Sequence, residues 1–322
     1  MRMARGLLFS LATLLLCVNL VAVGQEKEKK KAEPKKNVFT DPADAPIDYQ
    51  LQGEYVNIEE KIAAQVVARG NGKFDVYFLK GGLPGAGWEP KSKKVKFEAK
   101  LDAENGSAEF TDGDRKGSID AKAKTLRLGT DTKLQRVERQ SPTIGAKPPE
   151  GAIVLFDGTN ADEWSEKKMV GNLLGVQNTT KRKFTDIKLH LEFRTPFQPT
   201  AGGQGRGNSG VYLQNRYEIQ VLDSFGLKGE NNECGGIYGS RAPNVNMCLP
   251  PLVWQTYDVE YRTGKIDPDT KKQTGPFVTV LHNGVLVHDY VDLKGSSAPG
   301  PILLQNHGDP VVYRNIWVVE LK

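Results

Sequence analysis

Gly207-Asn208-Ser209-Gly210-Val211-Tyr212-Leu213-Gln214 and, two residues on, Tyr217-Glu218-Ile219-Gln220-Val221-Leu222-Asp223 form the stretch on which the fold turns. Side chains of a strand alternate between its two faces, so Glu218 and Gln220 share one face and Tyr217, Ile219 and Val221 the other. Two polar groups on an otherwise apolar strand suggest a concave, solvent-filled face. The same period of two recurs in Lys188–Arg194, in Tyr257–Tyr261 and in Ile316–Leu321, and Val278–Tyr290 reads as a hairpin turning at Asn283-Gly284. No long amphipathic helix interrupts these runs. Many short strands separated by turn residues predict an all-β fold, a β-sandwich or jelly roll, over residues 152–322.

The N-terminal half repeats the pattern on a smaller scale. Lys73–Leu79, Val95–Leu101 and Leu134–Val137 alternate, with Asn71-Gly72, Asn105-Gly106 and Asp112-Gly113 as turns, which predicts a small antiparallel β domain at 46–140. The loop Gly81-Gly82-Leu83-Pro84-Gly85-Ala86-Gly87-Trp88 lacks the Lys-Ser/Thr ending of a phosphate-binding loop, so it is read as a tight turn presenting Trp88. Residues 141–151, with three prolines and two glycines, read as a linker. Residues 25–45 are lysine-rich and poor in large apolar side chains, a charged flexible tether. Residues 1–24 have the form of a signal peptide. Arg2 and Arg5 precede the apolar run Leu7–Val23, and Ala22-Val23-Gly24 offers a cleavage site, so the chain is expected to be exported, periplasmic or extracellular, with no membrane span after cleavage. The net charge of +5 belongs to these N-terminal segments. Residues 1–24 hold two arginines and no acid, 26–36 hold six lysines against three glutamates, and the remainder balances. Nothing there points to a nucleic-acid partner.

Chemistry concentrates in two places. With a bulge near Val221-Leu222, Glu218, Gln220 and Asp223 would face the same way, the spacing used by laminarinase-type glucanases, although Gln220 cannot ionise. A solvated sheet face is the plainer account of the same residues. Further on, Gln305 and His307 share a face at the end of the apolar run Ile302–Leu304, where a histidine could act as acid or base. His190, His282 and His288 have no companion spacing and are given structural or surface roles. Cys234 and Cys248, fourteen positions apart in an exported chain, are expected to form a disulfide bracing Gly236–Gly239; two separate buried thiols are the alternative.

Residues 152–322 resemble the 3-keto-disaccharide hydrolase domain family. The matching segments are Ile153–Gly158 with Trp164, Glu192–Arg194, Gly207–Tyr212, Tyr217–Asp223, Gly236–Gly239, Trp254–Tyr257, Ile302–Gly308 and Tyr313–Ile316. The resemblance implies a concanavalin-A-like jelly roll and an enzyme cleaving glycosides oxidised at C3. Such a site needs a base, an acid and a group to hold an enolate. The residues it implies are Glu218, Asp223 and His307 as catalytic groups and Asn208, Gln220, Tyr238 and Gln305 as substrate-binding groups. The implied partner is an oligosaccharide or glycoside. No cofactor is assigned with certainty, and a bound divalent cation is left open. A paired-carboxylate glycoside hydrolase and a non-catalytic carbohydrate-binding module are the competing readings.

Overall fold

The computed structural model describes residues 37–266, 268–270, 272–295 and 298–322. Residues 1–24, expected to be a signal peptide, and residues 25–36 of the expected tether lie outside the described residues. Eight antiparallel strands, β1 (Gly53–Asn57), β2 (Ile62–Gly70), β3 (Lys73–Lys80), β4 (Lys94–Asp102), β5 (Ser107–Asp112), β6 (Arg115–Asp120), β7 (Thr125–Leu128) and β8 (Thr132–Val137), run up and down in chain order. Pairing of β8 with β1 closes them into a barrel, which removes the open edges an isolated sheet would expose. Alternate residues such as Tyr55, Val66, Phe74, Ile119 and Leu134 fill the interior. The Asn71-Gly72 turn between β2 and β3 holds both residues at positive φ, 54° and 66°, the geometry a two-residue hairpin with the strands' right-handed twist demands. Trp88 is buried against Leu79 and Leu83, so the glycine-rich loop tucks this side chain inward rather than presenting it.

The remaining strands make a sandwich. They are β9 (Ile153–Phe156), β10 (Met169–Val170), β11 (Leu173–Gly175), β12 (Asn178–Thr179), β13 (Ile187–Arg194), β14 (Ser209–Leu213), β15 (Tyr217–Val221), β16 (Gln255–Arg262), β17 (Phe277–His282), β18 (Val285–Asp292), β19 (Leu303–Leu304) and β20 (Val312–Glu320). The larger sheet runs β10-β11-β20-β13-β16-β17-β18, with β9 against β20, and the smaller runs β12-β19-β14-β15. Leu189, Leu191 and Phe193 of β13 meet Val211, Ile219 and Val221 of the smaller sheet in one apolar core.

Barrel and sandwich do not hang from a free linker. Ser141 and Thr143 bond the Thr256 hydroxyl at 2.6 and 2.9 Å, Thr143 donates to Asp258 at 2.7 Å, and the Gly145 amide donates to Glu192 at 2.6 Å. Asn315 and Trp317 donate to the Ala146 carbonyl at 3.0 and 3.2 Å. The segment thus covers an outer patch of the larger sheet. There the buried His190 lies 2.6 Å from Asp258 and stacks on Trp317. Burial alone would raise the Glu192 carboxyl, but hydrogen bonds from His190, Asn315, Gly145 and Arg314 outweigh it and hold its pKa at about 2. The end of the expected tether is fixed as well, since Phe39 forms a two-bond bridge with Phe197 at 3.0 and 2.8 Å. Phe197 and Leu252 complete the barrel's core, while Val67 of β2 joins the sandwich core. Residues 36–322 consequently form one compact unit.

The ion pair Arg206–Asp223, 2.7 Å long with both side chains almost wholly buried, sits at this junction, and Arg206 also donates to the Ala68 carbonyl at 3.0 Å. Removing one partner leaves the other charge buried without compensation. Arg206→Ala is therefore expected to cost roughly 3–5 kcal/mol, read from chemical denaturation.

Candidate active site

Glu218 lies on the open face of the smaller sheet. Cross-strand register sets it opposite Tyr212 of β14, and the Tyr212 hydroxyl donates to its carboxylate at 2.7 Å. Gln305, just past β19, donates to the same hydroxyl at 3.3 Å. Glu218 lies across the face of Gly210: a Cβ on that glycine would sit 2.8 Å from the Glu218 carboxyl carbon, so only glycine leaves the carboxylate this space. Burial pushes the Glu218 carboxyl above its ordinary range; the Tyr212 hydrogen bond and the charge of nearby His307 pull it back in part. A partly desolvated carboxylate with a raised pKa is a stronger base than a solvated one. A cavity of about 220 Å³ opens beside it, with Tyr212, Arg216, Glu218 and Tyr238 on its walls.

The other expected residues divide. His307 is exposed in the loop after β19, close enough for its charge to act on Glu218. Tyr238 is 47% exposed, and its amide donates to the Glu218 carbonyl at 3.0 Å. Gln305 and Asn208 each leave one buried side-chain oxygen without a hydrogen-bond partner, Oε1 and Oδ1, acceptors suited to sugar hydroxyls. Gln220 is committed elsewhere, donating to Gln204 at 2.9 Å and to the Asn232 carbonyl at 3.3 Å. Asp223 does not join Glu218. No bulge rotates it onto the open face: β15 ends at Val221, and Asp223 turns inward to Arg206. The expectation of three polar groups in a row therefore fails, because a buried arginine offers Asp223 a partner that the spacing did not reveal.

Several residues that shape the site escaped the sequence reading. Gln204 accepts from both Asn208 and Gln220. Asp309 accepts from the Asn208 amide at 2.9 Å and from Gln198 at 2.7 Å. Tyr212 was legible in principle, since alternation from Gly210 puts it on the open face. The Asp309 contacts, and that of Gln204 with Gln220, join segments distant in the chain and left no local signal.

Cys234 and Cys248 are free, buried thiols, contrary to the expected disulfide. Cys234 lies 3.2 Å from the Tyr257 hydroxyl, and Cys248 donates towards the Leu222 and Leu249 carbonyls at 3.4 Å. The segment they were expected to brace is held instead by backbone bonds, Gln220 N–H to Gly236 at 2.9 Å and Tyr238 N–H to Glu218 at 3.0 Å. His282 and His288 are structural: burial lowers the first to about 3, and the second bonds the Gly235 carbonyl at 2.7 Å. Among the described residues no three His, Cys, Asp or Glu side chains are grouped as metal ligands.

An all-β sandwich with a carboxylate bonded to a tyrosine on one face of its smaller sheet is the framework of a carbohydrate-active protein. Residues 151–319, just over half the chain, match the 3-keto-alpha-glucoside-1,2-lyase-like domain, and the chain belongs to that family. Three crystal structures from Parabacteroides distasonis ATCC 8503, each described as a candidate glycosyl hydrolase, are similar to it. The first is 33% identical with a TM-score of 0.48, covering 54% of this chain and 85% of its own. The second is 17% identical with a TM-score of 0.42, covering 54% and 95%. The third is 22% identical with a TM-score of 0.39, covering 53% and 99%. No curated protein matches the chain.

Two outcomes follow from this geometry. Gly210→Ala should leave the fold intact by circular dichroism, since a flexible side-chain end can give way. It should reduce turnover by about 100-fold because the carboxylate is displaced. Tyr212→Phe removes a hydrogen bond that favours the charged carboxylate, so the Glu218 pKa must rise further and the acid limb of the pH–rate profile should move to higher pH.

Proposed function

We propose that the protein is an exported enzyme that cleaves 3-keto-glycosides, with Glu218 as the base. The supporting observation is the single desolvated carboxylate on the open face of a domain of this family, hydrogen-bonded to Tyr212 and free of any ion pair among the described residues. A ketone at C3 acidifies the C2 proton, because the electron pair left behind delocalises onto the keto oxygen. Glu218 takes that proton and the enolate forms. The enolate then collapses, forming a C1–C2 double bond and expelling the glycosidic oxygen from C1. That oxygen takes a proton from His307, which faces solvent and can be recharged from it. Water adds at C1 and C2 regains a proton, so the net reaction is hydrolysis. Asn208, Gln305 and Tyr238 position the sugar, while Gln220 shapes the loop that carries Gln204 and Asn232.

A paired-carboxylate mechanism would need a second acid facing Glu218, and Asp223 is turned away from it. A purely binding module would not need a desolvated carboxylate.

The test uses a 3-keto-disaccharide and its unoxidised parent in heavy water. Cleavage of the keto substrate alone, with deuterium at C2 of the released keto sugar above an enzyme-free control, is the expected result. Cleavage without that label would overturn the elimination route. Glu218→Gln should lower kcat by at least about 1,000-fold, and His307→Ala should lower it as well, by about 100-fold. Because the folded state carries Glu218 at a raised pKa, its ionised form opposes folding at neutral pH. Glu218→Gln should therefore stabilise the protein, by roughly 0.5–2 kcal/mol, with the gain disappearing in acid as Glu218 itself becomes neutral.

A further inference from the structure

Elimination through an enolate needs a donor for the C3 oxygen, which carries the electron pair released from C2. Arg216, Tyr238 and Ser240 stand on the cavity walls, but none of their side chains bonds the Glu218 carboxylate. The side-chain amides of Asn208 and Gln220 are turned to Gln204 and to the Asn232 carbonyl, and that of Gln305 donates to the Tyr212 oxygen at 3.3 Å. Among the described residues the Tyr212 hydroxyl is the one side-chain donor that reaches the carboxylate, at 2.7 Å.

The two oxygens of Glu218 differ. Oε2 accepts from Tyr212, whereas Oε1 lies over Gly210 and accepts no hydrogen bond among the described residues. Oε1 is therefore the oxygen open to a C2 proton. The keto oxygen sits on the carbon next to C2, so a C2–H bond directed at Oε1 brings that oxygen towards the hydroxyl seated on Oε2. Proton transfer moves the negative charge from the carboxylate to the C3 oxygen. The enolate oxygen is more basic than a carboxylate oxygen, and a hydrogen bond to a charged acceptor is about twice as strong as one to a neutral acceptor. The hydrogen bond then follows the charge. Gln305 holds the Tyr212 oxygen in place while the O–H bond turns. Burial, with the bond to Glu218 and its charge, raises the pKa of the Tyr212 hydroxyl, so it keeps its proton throughout.

Resting on the reading of Glu218 as the base, we propose that Tyr212 is a further catalytic residue, whose hydroxyl donates to Glu218 in the resting enzyme and to the C3 oxygen of the enolate once the C2 proton has moved. The C2–H bond breaks, its proton goes to Oε1, and its electron pair forms the C2–C3 double bond as the carbonyl pair moves onto oxygen. When that pair returns, the C3 carbonyl re-forms, the C1–C2 double bond forms and the glycosidic bond breaks. Tyr212 neither gains nor loses a proton.

Tyr212→Phe tests this with a 3-keto-disaccharide in heavy water, because the two roles open to the hydroxyl pull in opposite directions. If it serves Glu218 alone, its loss makes that carboxylate a stronger base, and kcat on the plateau above the shifted acid limb stays level or rises. If it holds the enolate, plateau kcat and deuterium entry at C2 should both fall, by about 10- to 100-fold, with KM moving less than about threefold. A level or raised plateau would overturn the proposal, and so would a change confined to KM. Wild-type cleavage without C2 label would overturn the Glu218 reading itself, whereas label in the wild type with an undiminished Tyr212→Phe plateau would overturn the role of Tyr212 alone. Should Tyr212→Phe fail to fold, a ring-fluorinated tyrosine at position 212 decides the matter, since it keeps the ring and makes the hydroxyl a stronger donor. Its plateau kcat should rise; a fall, as expected of a weakened base alone, would overturn the proposal.

Discussion

The Arg206–Asp223 pair is the constraint on which the site depends. Asp223 follows the strand that carries Glu218, and Arg206 precedes the strand that carries Gly210 and Tyr212. Tying the two together at 2.7 Å in a dry setting closes the far end of the hairpin, and the Asp223 amide returns a backbone bond of 3.1 Å to the Arg206 carbonyl. The register that sets Tyr212 opposite Glu218 is thereby fixed at both ends, by the turn on one side and by the ion pair on the other. The same arginine reaches into the barrel at Ala68, so the placement of the carboxylate and the docking of the two β units share one anchor. A buried pair of this kind contributes little net stability over apolar packing; what it supplies is a single geometry, since any displacement strands a charge.

Around that anchor, two carboxylates show how environment divides roles. Glu192 and Glu218 both lie on strands of the sandwich and both are largely buried. Glu192 gathers hydrogen bonds from four directions and is held ionised, and its work is to fasten the segment 141–146 onto the larger sheet. Glu218 has one hydrogen-bond donor, an exposed histidine at a distance and a cavity in front of it, so burial dominates and its proton is held more tightly. The difference lies in the number of donors within reach.

The barrel's place in this arrangement is more than support. Its core is completed by Phe197 and Leu252 from the sandwich, and the loop at Gly226 approaches so closely that Lys94 of the barrel donates to the Gly226 and Leu227 carbonyls. A unit that lends and borrows core residues in this way cannot move as a rigid body on a hinge without exposing them.

Alternation along Tyr217–Val221, Lys188–Arg194 and Val278–Tyr290 was enough to determine strands, faces and the all-β class, because a period of two is a property of the backbone and needs no partner. The same alternation placed Glu218 and Tyr212 on one face of the smaller sheet. What only the tertiary structure decided were matters of pairing across long separations. Asp223 went to Arg206 rather than to the sheet face, the thiols of Cys234 and Cys248 lie buried in the core with no bond between their sulfurs, and residues 141–146 of the proline-bearing segment became a docked strap because Glu192, Asp258 and Asn315 wait for them on distant strands. Local periodicity says which way a side chain points, but whether a buried polar group finds a donor depends on residues that spacing along the chain cannot bring together.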